Sequence, residues 1–330
     1  MALVELMNRD ILKACISQNI DGLHRKSGMH PSKLADLHGN TNLEVCIKCN
    51  REHMRDFKVR TAVKGKEHKT GRKCDTPGCN GDLKDTIINF GESLDGDILT
   101  KGFAECAKSD LVVAMGSSMR VNPACSMPLT TLVSGGKFVM INLQATQADG
   151  VASLVIHERV DKVIELLMQK LEIPIPEYRR SYRLKVSLDP KDSKKVLFTG
   201  VDSNGACYTL FKSLKVSGLG NAVAQFPAPR QNIQPFAHQM GNGAAPAQFS
   251  IECTFQGHYN EPKLTLKVPM DKLKSEKALE FDMIFHVKEV KFQQVKIVNS
   301  ESRAELGTAS YTTVAAPRAP AQAPAAARNA

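Results

Sequence analysis

The apolar stretches of this 330-residue chain are short. No segment approaches the run of about 18 uninterrupted apolar residues that a membrane-spanning helix needs, so we expect no association with membranes. The first residues interrupt their apolar positions with charges and lack both a basic leader and a long apolar core. We therefore expect no signal peptide and predict a soluble protein.

The sequence also has little that suggests a disulfide framework. Of its nine cysteines, four have the spacing of metal ligands and the others are scattered. This usage fits a reducing compartment better than a disulfide framework, and we expect the protein in the cytosol or the nucleus. A net charge of +10 favours polyanionic partners such as nucleic acid or chromatin. Because the basic residues are spread along the chain, an ordinary solvated surface is the alternative.

Two hydrophobic patterns divide the chain, whose 42% hydrophobic residues suffice for the cores of two domains. In residues 1–175, short β-branched runs alternate with longer amphipathic ones, which is typical of a parallel sheet covered by helices. From 176 to 314 the period changes to two, which favours a small antiparallel β-sandwich. A stretch at about 219–248, rich in Gly, Ala, Pro, Gln and Asn, is expected to be a flexible insertion. The Ala/Pro tail 315–330 is expected to be disordered.

Four strands and one long helix are predicted in the first domain. The predicted strands are 11–17, 86–90, 111–115 and 138–142. Apolar residues that recur three and four apart predict a helix over 160–171. Pro174 and Pro176 then stop this helix.

Polar side chains follow the first predicted strand. Gln18, Asn19 and Asp21 come directly after it, and His38 lies in a second polar cluster at 37–40. An open α/β sheet places its chemistry in the crevice beyond the carboxyl ends of its strands, so these side chains are candidates for an active site. A polar loop is the alternative for any one of them. Two such clusters close together, just before a cysteine array, favour a site.

Four cysteines form a metal-binding motif. Cys46 and Cys49 make a C-x2-C pair, and Cys74 and Cys79 make a C-x4-C pair. Four thiolates close a tetrahedral shell around zinc and leave no position for water, so the sequence predicts one structural Zn²⁺. The metal would fold a small module at about 43–84, whose intervening segment is polar and has little core of its own. Four unrelated thiols are the alternative.

Six motifs follow one another along the first domain. They are the four cysteines together with Gln-Asn-Ile-Asp at 18–21, Leu-His-Gly-Asn at 37–40, Asn-Phe-Gly-Glu at 89–92, Gly-Ser-Ser at 116–118 and Ile-Asn-Leu-Gln at 141–144. Together they resemble the sirtuins, the NAD-dependent protein lysine deacylases, and within them the class IV, chromatin-associated branch. The resemblance covers about residues 1–175. It implies an α/β fold, an incomplete Rossmann-like parallel sheet with an inserted zinc module, followed here by an all-β, sandwich-like C-terminal domain.

The resemblance implies the removal of acyl groups from protein lysines. In the sirtuin reaction the acyl oxygen attacks the nicotinamide ribose of NAD, nicotinamide leaves, and a histidine deprotonates a ribose hydroxyl. His38 would be that base, a task that suits an imidazole near neutral pH. A capping or core histidine is the alternative. Gln18, Asn19 and Asp21 would hold the ribose and the nicotinamide carboxamide, so the predicted catalytic residues are His38, Asn19 and Asp21.

Further NAD contacts are implied after the later strands. Gly116 and Ser118 would let the dinucleotide approach the backbone closely. Asn142 and Gln144 would contact the adenosine ribose, and Val160 would lie beside adenine. A purely structural role is the alternative for these last three residues.

The resemblance also implies a protein substrate. Phe90 and Gly91 would line the acyl-lysine channel, with the peptide backbone pairing alongside in strand fashion, although Phe90 could equally belong to the core. The implied partners are acylated lysine peptides of proteins, including histones, and chromatin.

Two elements of the sirtuin pattern are not found in this sequence. They are a Gly-Ala-Gly loop that cradles the NAD pyrophosphate and an Asp-Phe-Arg-type loop that closes over nicotinamide. Because backbone amides supply much of the phosphate binding in such folds, we expect weakened NAD affinity. The sequence thus predicts an N-terminally truncated sirtuin, from an incomplete gene model or isoform or as a genuine short protein. A catalytically impaired, zinc-containing interaction scaffold is the alternative function.

Overall fold

A computed structural model provides the structure of the chain. It describes residues 1–60, 68–74, 76, 78–202, 205–220, 224–227, 236–241, 243 and 245–315. The chain divides into two compact units, the first of which is Met1–Tyr178 with a short piece near Ala206, and the second of which begins at Arg179. Among the described helices, none is both long enough and apolar enough to cross a membrane.

The first unit mixes short strands and helices. Its strands are β1 (Cys15–Ser17), β2 (Leu34–Asp36), β3 (Leu43–Cys46), β4 (Glu52–Met54), β5 (Lys69–Lys73), β6 (Asp82–Asp85), β7 (Leu111–Met115), β8 (Lys137–Ile141) and β9 (Leu154–Ile156). Its α-helices are α1 (Ala2–Asn8), α2 (Leu23–Lys26), α3 (Gly96–Lys108), α4 (Met127–Val133) and α5 (Val160–Lys170).

Two parallel sheets carry the polar motifs of the first unit. Strand β1 pairs with β2, and β7, β8 and β9 form a three-stranded sheet in that order. Leu37, Cys106 and Met127 form a buried cluster against which Ile16 and Val112 pack. Because residues of β1, α3 and β7 meet in this cluster, it packs strands from both sheets into one core.

The cysteine-bearing segment forms an antiparallel sheet in the order β4-β3-β6-β5. Its centre holds the fully buried carboxylate of Glu44, which lies 3.1 Å from Arg55 Nε and 2.6 Å from Arg72 Nε. The hydroxyl of Thr70 donates to the other carboxylate oxygen at 2.8 Å. A buried charge is tolerated only when it is paired and hydrogen-bonded, so this ionic group fixes the register of β3, β4 and β5.

The second unit is antiparallel. Its elements are β10 (Arg179–Asp189), β11 (Asp192–Val201), β12 (Cys207–Tyr208), β13 (Phe211–Ser217), β14 (Ala224–Pro227), β15 (Phe236–Gln239), β16 (Gln248–Phe255), β17 (Lys263–Pro269), α6 (Met270–Glu276), β18 (Ala278–His286), β19 (Lys291–Asn299), β20 (Glu305–Thr308) and β21 (Tyr311–Val314). One sheet contains the run β20-β19-β18-β10-β11, and the other has the order β14-β13-β16-β17-β21. Alternate residues of both sheets, such as Leu184 and Ile251, are buried in one core, which is a sandwich arrangement.

The predicted fold class is therefore confirmed: a Rossmann-like α/β part with a cysteine module precedes a β-rich part. The strand predicted at 111–115 is β7, and the one predicted at 138–142 is β8, shifted by one residue. The helix predicted at 160–171 is α5.

Two strand predictions are wrong in part or in whole. The strand predicted at 11–17 is confined to β1, because the amides of Ile11 and Leu12 bond to the carbonyl of Leu6 and so complete the end of α1. No strand forms at 86–90. There the backbone amide of Ile88 bonds to the carbonyl of His38 at 3.1 Å, so this segment is taken up by the His38 loop.

The stretch 219–248, expected to be a flexible insertion, contains two ordered strands in its described part, β14 and β15. Leu219 and Phe236 of this stretch are buried in the core of the second unit. Parts of this stretch (221–223, 228–235, 242 and 244) and residues 316–330 of the predicted tail lie outside the described residues.

Candidate active site and zinc centre

The imidazole ring of His38 is held in place through its Nδ1 atom. His38 lies two residues beyond β2, where the buried Leu37 bonds through its amide to Ser17 O at 2.9 Å. His38 Nδ1 is 2.9 Å from the carbonyl oxygen of Gln18. Because a carbonyl oxygen can only accept, Nδ1 carries the hydrogen, and in the neutral ring the lone pair resides on Nε2. This is the tautomer that a general base requires.

The loop that carries His38 is clamped on its other side by residues 86–88. The amide of Asn40 donates to Thr86 Oγ1 at 3.0 Å, and the amide of Ile88 donates to His38 O at 3.1 Å. Between these two bonds lies Gly39, whose φ is +79°. A Cβ at this position would overlap the carbonyl of Thr86, so only glycine allows the two segments to approach so closely.

Gln18, Asn19 and Asp21 follow β1, as predicted, and the structure places them around a turn. The amide of Asn19 donates to Ser17 Oγ at 3.1 Å, and Asp21 Oδ1 accepts from the amide of Leu23 at 2.9 Å, at the start of α2. The side chains of Asn19 and Asp21 are exposed, whereas Gln18 is half-buried. Two residues are therefore available to a ligand and one is partly enclosed.

Gln18 also connects the two parallel sheets. Its Oε1 accepts from Ser117 Oγ at 3.5 Å, and Ser117 belongs to the loop that leaves β7. This bond brings the 116–118 loop beside the residue whose carbonyl holds His38. The sequence prediction named only Gly116 and Ser118 of this loop, although Ser117 lay within the same motif.

The residues predicted to contact the dinucleotide lie at the carboxyl edge of the β7-β8-β9 sheet. Gly116 follows β7 with φ +62°, and both it and Ser118 are exposed. Asn142 follows β8, and its Nδ2 donates to the carbonyl of Gln144 at 2.9 Å. Val160 is the first residue of α5, which follows β9. Folds of this kind bind nucleotides at the carboxyl edge of their parallel strands. The polar side chains at this edge and the exposed Gly116 therefore fit NAD.

Phe90 stands on a tight turn at residues 89–92. Its side chain is 98% exposed, so the alternative that it belongs to the core is wrong. The amide of Glu92 bonds to Asn89 O at 3.0 Å, and Gly91 has φ +85°. The turn thus presents an aromatic ring and an accessible backbone to solvent, which suits contact with another molecule.

The four cysteines lie together at the end of the antiparallel sheet. The sulfur atoms of Cys46 and Cys79 are 3.6 Å apart, those of Cys49 and Cys74 are 3.7 Å apart, and all four lie within 4.8 Å of one another. A tetrahedral zinc ion with Zn–S bonds of about 2.3 Å requires sulfur separations of about 3.8 Å. The geometry and the donor set therefore fit one structural zinc ion, with no ligand position left for catalysis.

A half-buried carboxylate that the sequence prediction did not single out, Asp36, lies at the end of β2. Burial raises the pKa of Asp36 from 3.8 to about 6, even though the charge of Arg25 acts in the opposite direction. Nothing in the sequence signals this, because the desolvation arises from the pairing of β2 with β1.

Asp36→Asn is expected to stabilise the protein at pH 8 but not at pH 4. The raised pKa means that the folded state keeps the Asp36 proton longer than the unfolded state, so stability falls as pH rises from about 4 to about 6. The asparagine variant should escape this loss, which we place at about 2 kcal/mol. Thermal unfolding of both proteins at the two pH values measures the difference. The exposed Asp110→Asn is the control, and an equal shift at both pH values would contradict the prediction.

Comparisons with known proteins agree with this geometry. The Sir2 family model matches residues 1–123. The NAD-dependent protein deacetylase SRT1 of Oryza sativa subsp. indica is 43% identical over 195 residues, which cover 59% of this chain and 40% of that protein. SRT1 of Arabidopsis thaliana is 45% identical over 180 residues, 54% of this chain and 37% of that protein. The NAD-dependent protein deacetylase Sirt6 of Drosophila melanogaster is 35% identical over 213 residues, 62% of this chain and 64% of that protein.

The chain spans less than half the length of the two SRT1 proteins. The segment that the family model matches includes His38, the four cysteines and the 116–118 loop. By this match and these identities, residues 1–123 are similar to the Sir2 family, and the similarity to the two SRT1 proteins extends over more than half of this chain.

Proposed function

We propose that this chain is an NAD-dependent protein lysine deacylase, which transfers the acyl group of a lysine to ADP-ribose and releases nicotinamide. The observation that carries the proposal is the bond from His38 Nδ1 to Gln18 O, which leaves Nε2 to accept a proton. The names of its relatives, NAD-dependent protein deacetylases, support the same reaction.

The chain's own residues have distinct tasks in this proposal. When bound, NAD would supply the ribose that accepts the acyl group. Asn19 and Asp21, exposed beside Gln18, would orient the ribose and the carboxamide through paired donors and acceptors. His38 Nε2 would take up the proton of a ribose hydroxyl. Gly116, Ser118, Asn142, Gln144 and Val160 would hold the remainder of the dinucleotide at the edge of the β7-β8-β9 sheet.

On the substrate side, Phe90 and Gly91 would form a wall of the acyl-lysine channel. The exposed ring of Phe90 supplies apolar surface for the acyl-lysine side chain, and the exposed backbone of Gly91 can pair with a peptide in an extended conformation. Residues 1–175 would form the catalytic part, with the zinc module at about 43–84, and residues 176–314 the accessory domain.

We further propose that the protein acts in the nucleus, on histones or other chromatin proteins, as a member of the class IV branch. The net charge of +10 supports a polyanionic setting, and the similarity to sirtuin-7 of Homo sapiens, 35% identical over 188 residues, supports the branch. A cytoplasmic location is the alternative, which microscopy of the tagged protein in cells distinguishes.

Nicotinamide release tests the central proposal. Zinc-loaded protein with NAD is expected to release nicotinamide in the presence of an acetyl-lysine peptide, in step with loss of the acetyl group from the peptide. The same peptide without its acetyl group is the matched control. Equal release with both peptides, or none with either, would contradict deacylation and leave the zinc-containing scaffold as the function.

A further inference from the structure

The turn that carries Phe90 is held by an ion pair that the proposed reaction does not use. The Glu92 carboxylate accepts from the amide of Asn89 at 2.7 Å and from Asn89 Nδ2 at 2.9 Å. His68 Nε2 lies 3.2 Å from each of the two carboxylate oxygens. Glu92 therefore closes the turn internally and joins it to a residue that lies just before β5.

The second ring nitrogen of His68 joins it to β6. His68 Nδ1 is 3.0 Å from Asp85 Oδ1, and the backbone carbonyl of His68 accepts from the amide of Asp85 at 2.8 Å. Asp85 Oδ1 also accepts from the amide of Ile87 at 3.0 Å, one step along the chain toward the turn. The imidazole thus bridges the last residue of β6 and the turn that follows it.

Both partners of His68 are carboxylates, and this decides its protonation. An ionised carboxylate can only accept, so the two contacts are satisfied together when both ring nitrogens carry hydrogens, that is, in the imidazolium form. The hydrogen bond to Asp85 is the largest influence on the pKa of His68 and raises it; burial opposes this, and the contact with Glu92 raises the pKa further. The amide of Asn89 is the main cause that lowers the pKa of Glu92 to about 2, so this partner stays ionised.

The same segment is attached to the His38 loop at its other end. The Ile88 amide bonds to His38 O, and Arg60 Nη1 donates to Asn89 Oδ1 at 2.7 Å. Among the residues that the structure describes, the charged groups in contact with His68 and its turn are Asp85, Glu92 and Arg60. Phe90 lies between these anchors with its own side chain exposed, so its position depends on the backbone that they fix.

We propose that His68, in its charged form, is a positioning residue that holds the 89–92 turn in place for the acyl-lysine peptide, so that peptide binding weakens at alkaline pH. The inference rests on the proposed function, since it assigns Phe90 and Gly91 to the substrate channel. Because the pKa of His68 is raised, the charged form and its hold on the turn are complete at acidic pH. The hold is lost as pH rises through that raised value.

Peptide affinity measured across pH tests the proposal. A histidine-free, fluorescent acetyl-lysine peptide is titrated with the full zinc-loaded chain between about pH 6 and about pH 9. The Kd of the wild type is expected to rise by about 10-fold over this range, the worth of a charge-assisted hydrogen bond. His68→Gln, which cannot become charged, should bind about 10-fold more weakly at the acidic end and show a flat profile.

The control variant is His258→Gln, an exposed histidine of the second unit, which should keep the wild-type affinity and pH profile. Zinc content and thermal unfolding establish that His68→Gln is folded. Glu92→Gln removes the charge of the other member of the His68–Glu92 ion pair. This variant replaces His68→Gln in the test if His68→Gln is unstable. The double variant should bind the peptide no more weakly than the single variant with the lower peptide affinity, because the two residues act through one contact.

The outcomes separate this inference from the function on which it rests. Wild-type affinity and slope in His68→Gln, or additive losses in the double variant, would overturn the positioning role alone. Absence of acetyl-dependent binding by the wild type would overturn the proposed function and this inference with it.

Discussion

Cys74→Ser is expected to abolish zinc binding and to unfold the cysteine module. Cys74 is 5% exposed, and its sulfur lies 3.7 Å from that of Cys49, so its loss opens a closed tetrahedral shell. Structural zinc contributes about 10–16 kcal/mol in zinc-finger peptides, because the metal organises a segment with little core of its own. Even a fraction of that should lower the unfolding temperature of the first unit by at least about 10 °C.

Two measurements check this prediction. Metal analysis of the purified protein should fall from about one zinc ion per chain to about none, and a thermal scan should show the shift. Cys125→Ser is the matched control, since Cys125 is half-buried and lies outside the cysteine cluster. Full zinc content in Cys74→Ser would show that the four thiols do not share one ion.

The second large effect is expected at His38. His38→Ala should slow deacetylation by about 10²–10⁴-fold, the usual contribution of a positioned general base. The loss should appear in kcat, because the proton is taken up after substrates have bound. Chromatographic measurement of the deacetylated peptide gives this rate, and titration of NAD shows whether binding persists.

His38→Asn separates the two roles of the imidazole. An asparagine amide can still donate to Gln18 O, but it cannot take up a proton. It should therefore keep the loop in place and still lose the rate. The exposed His30→Ala is the control, and a rate for His38→Asn within about threefold of the wild type would contradict base catalysis.

The local sequence pattern was enough to predict those strands and helices whose hydrophobic period runs through the whole segment. Strand β7 and helix α5 were predicted because a β-branched run and a 3.6-residue period each dominate their own segment. The cysteine spacing predicted a cluster because two closely spaced pairs of cysteines are typical of one tetrahedral zinc site, which then brings the two loops together.

The incorrect strand predictions and the ion pair that the sequence did not reveal have a different cause. At 86–88 the apolar run has a strand-like composition, yet the backbone of Ile88 and the side chain of Thr86 bond to the loop at residues 38–40, far away along the chain. Ile11 is apolar and 53% exposed, because its amide completes α1. The ion pair of His68 and Glu92 joins two elements whose proximity depends on the β5–β6 pairing. Contacts of this kind follow from tertiary structure and leave no local signal.

The contact of Gly39 with Thr86 has a consequence for protein engineering. Any side chain at position 39 would push the His38 loop away from the segment that leads to Phe90, so this position is closed to substitution. Under the proposed function, attempts to change the acyl-chain preference would therefore have to use side chains that project from a fixed backbone. Position 90, whose side chain is free of the core, is the natural starting point for a library, whereas position 39 should be left as glycine in every member.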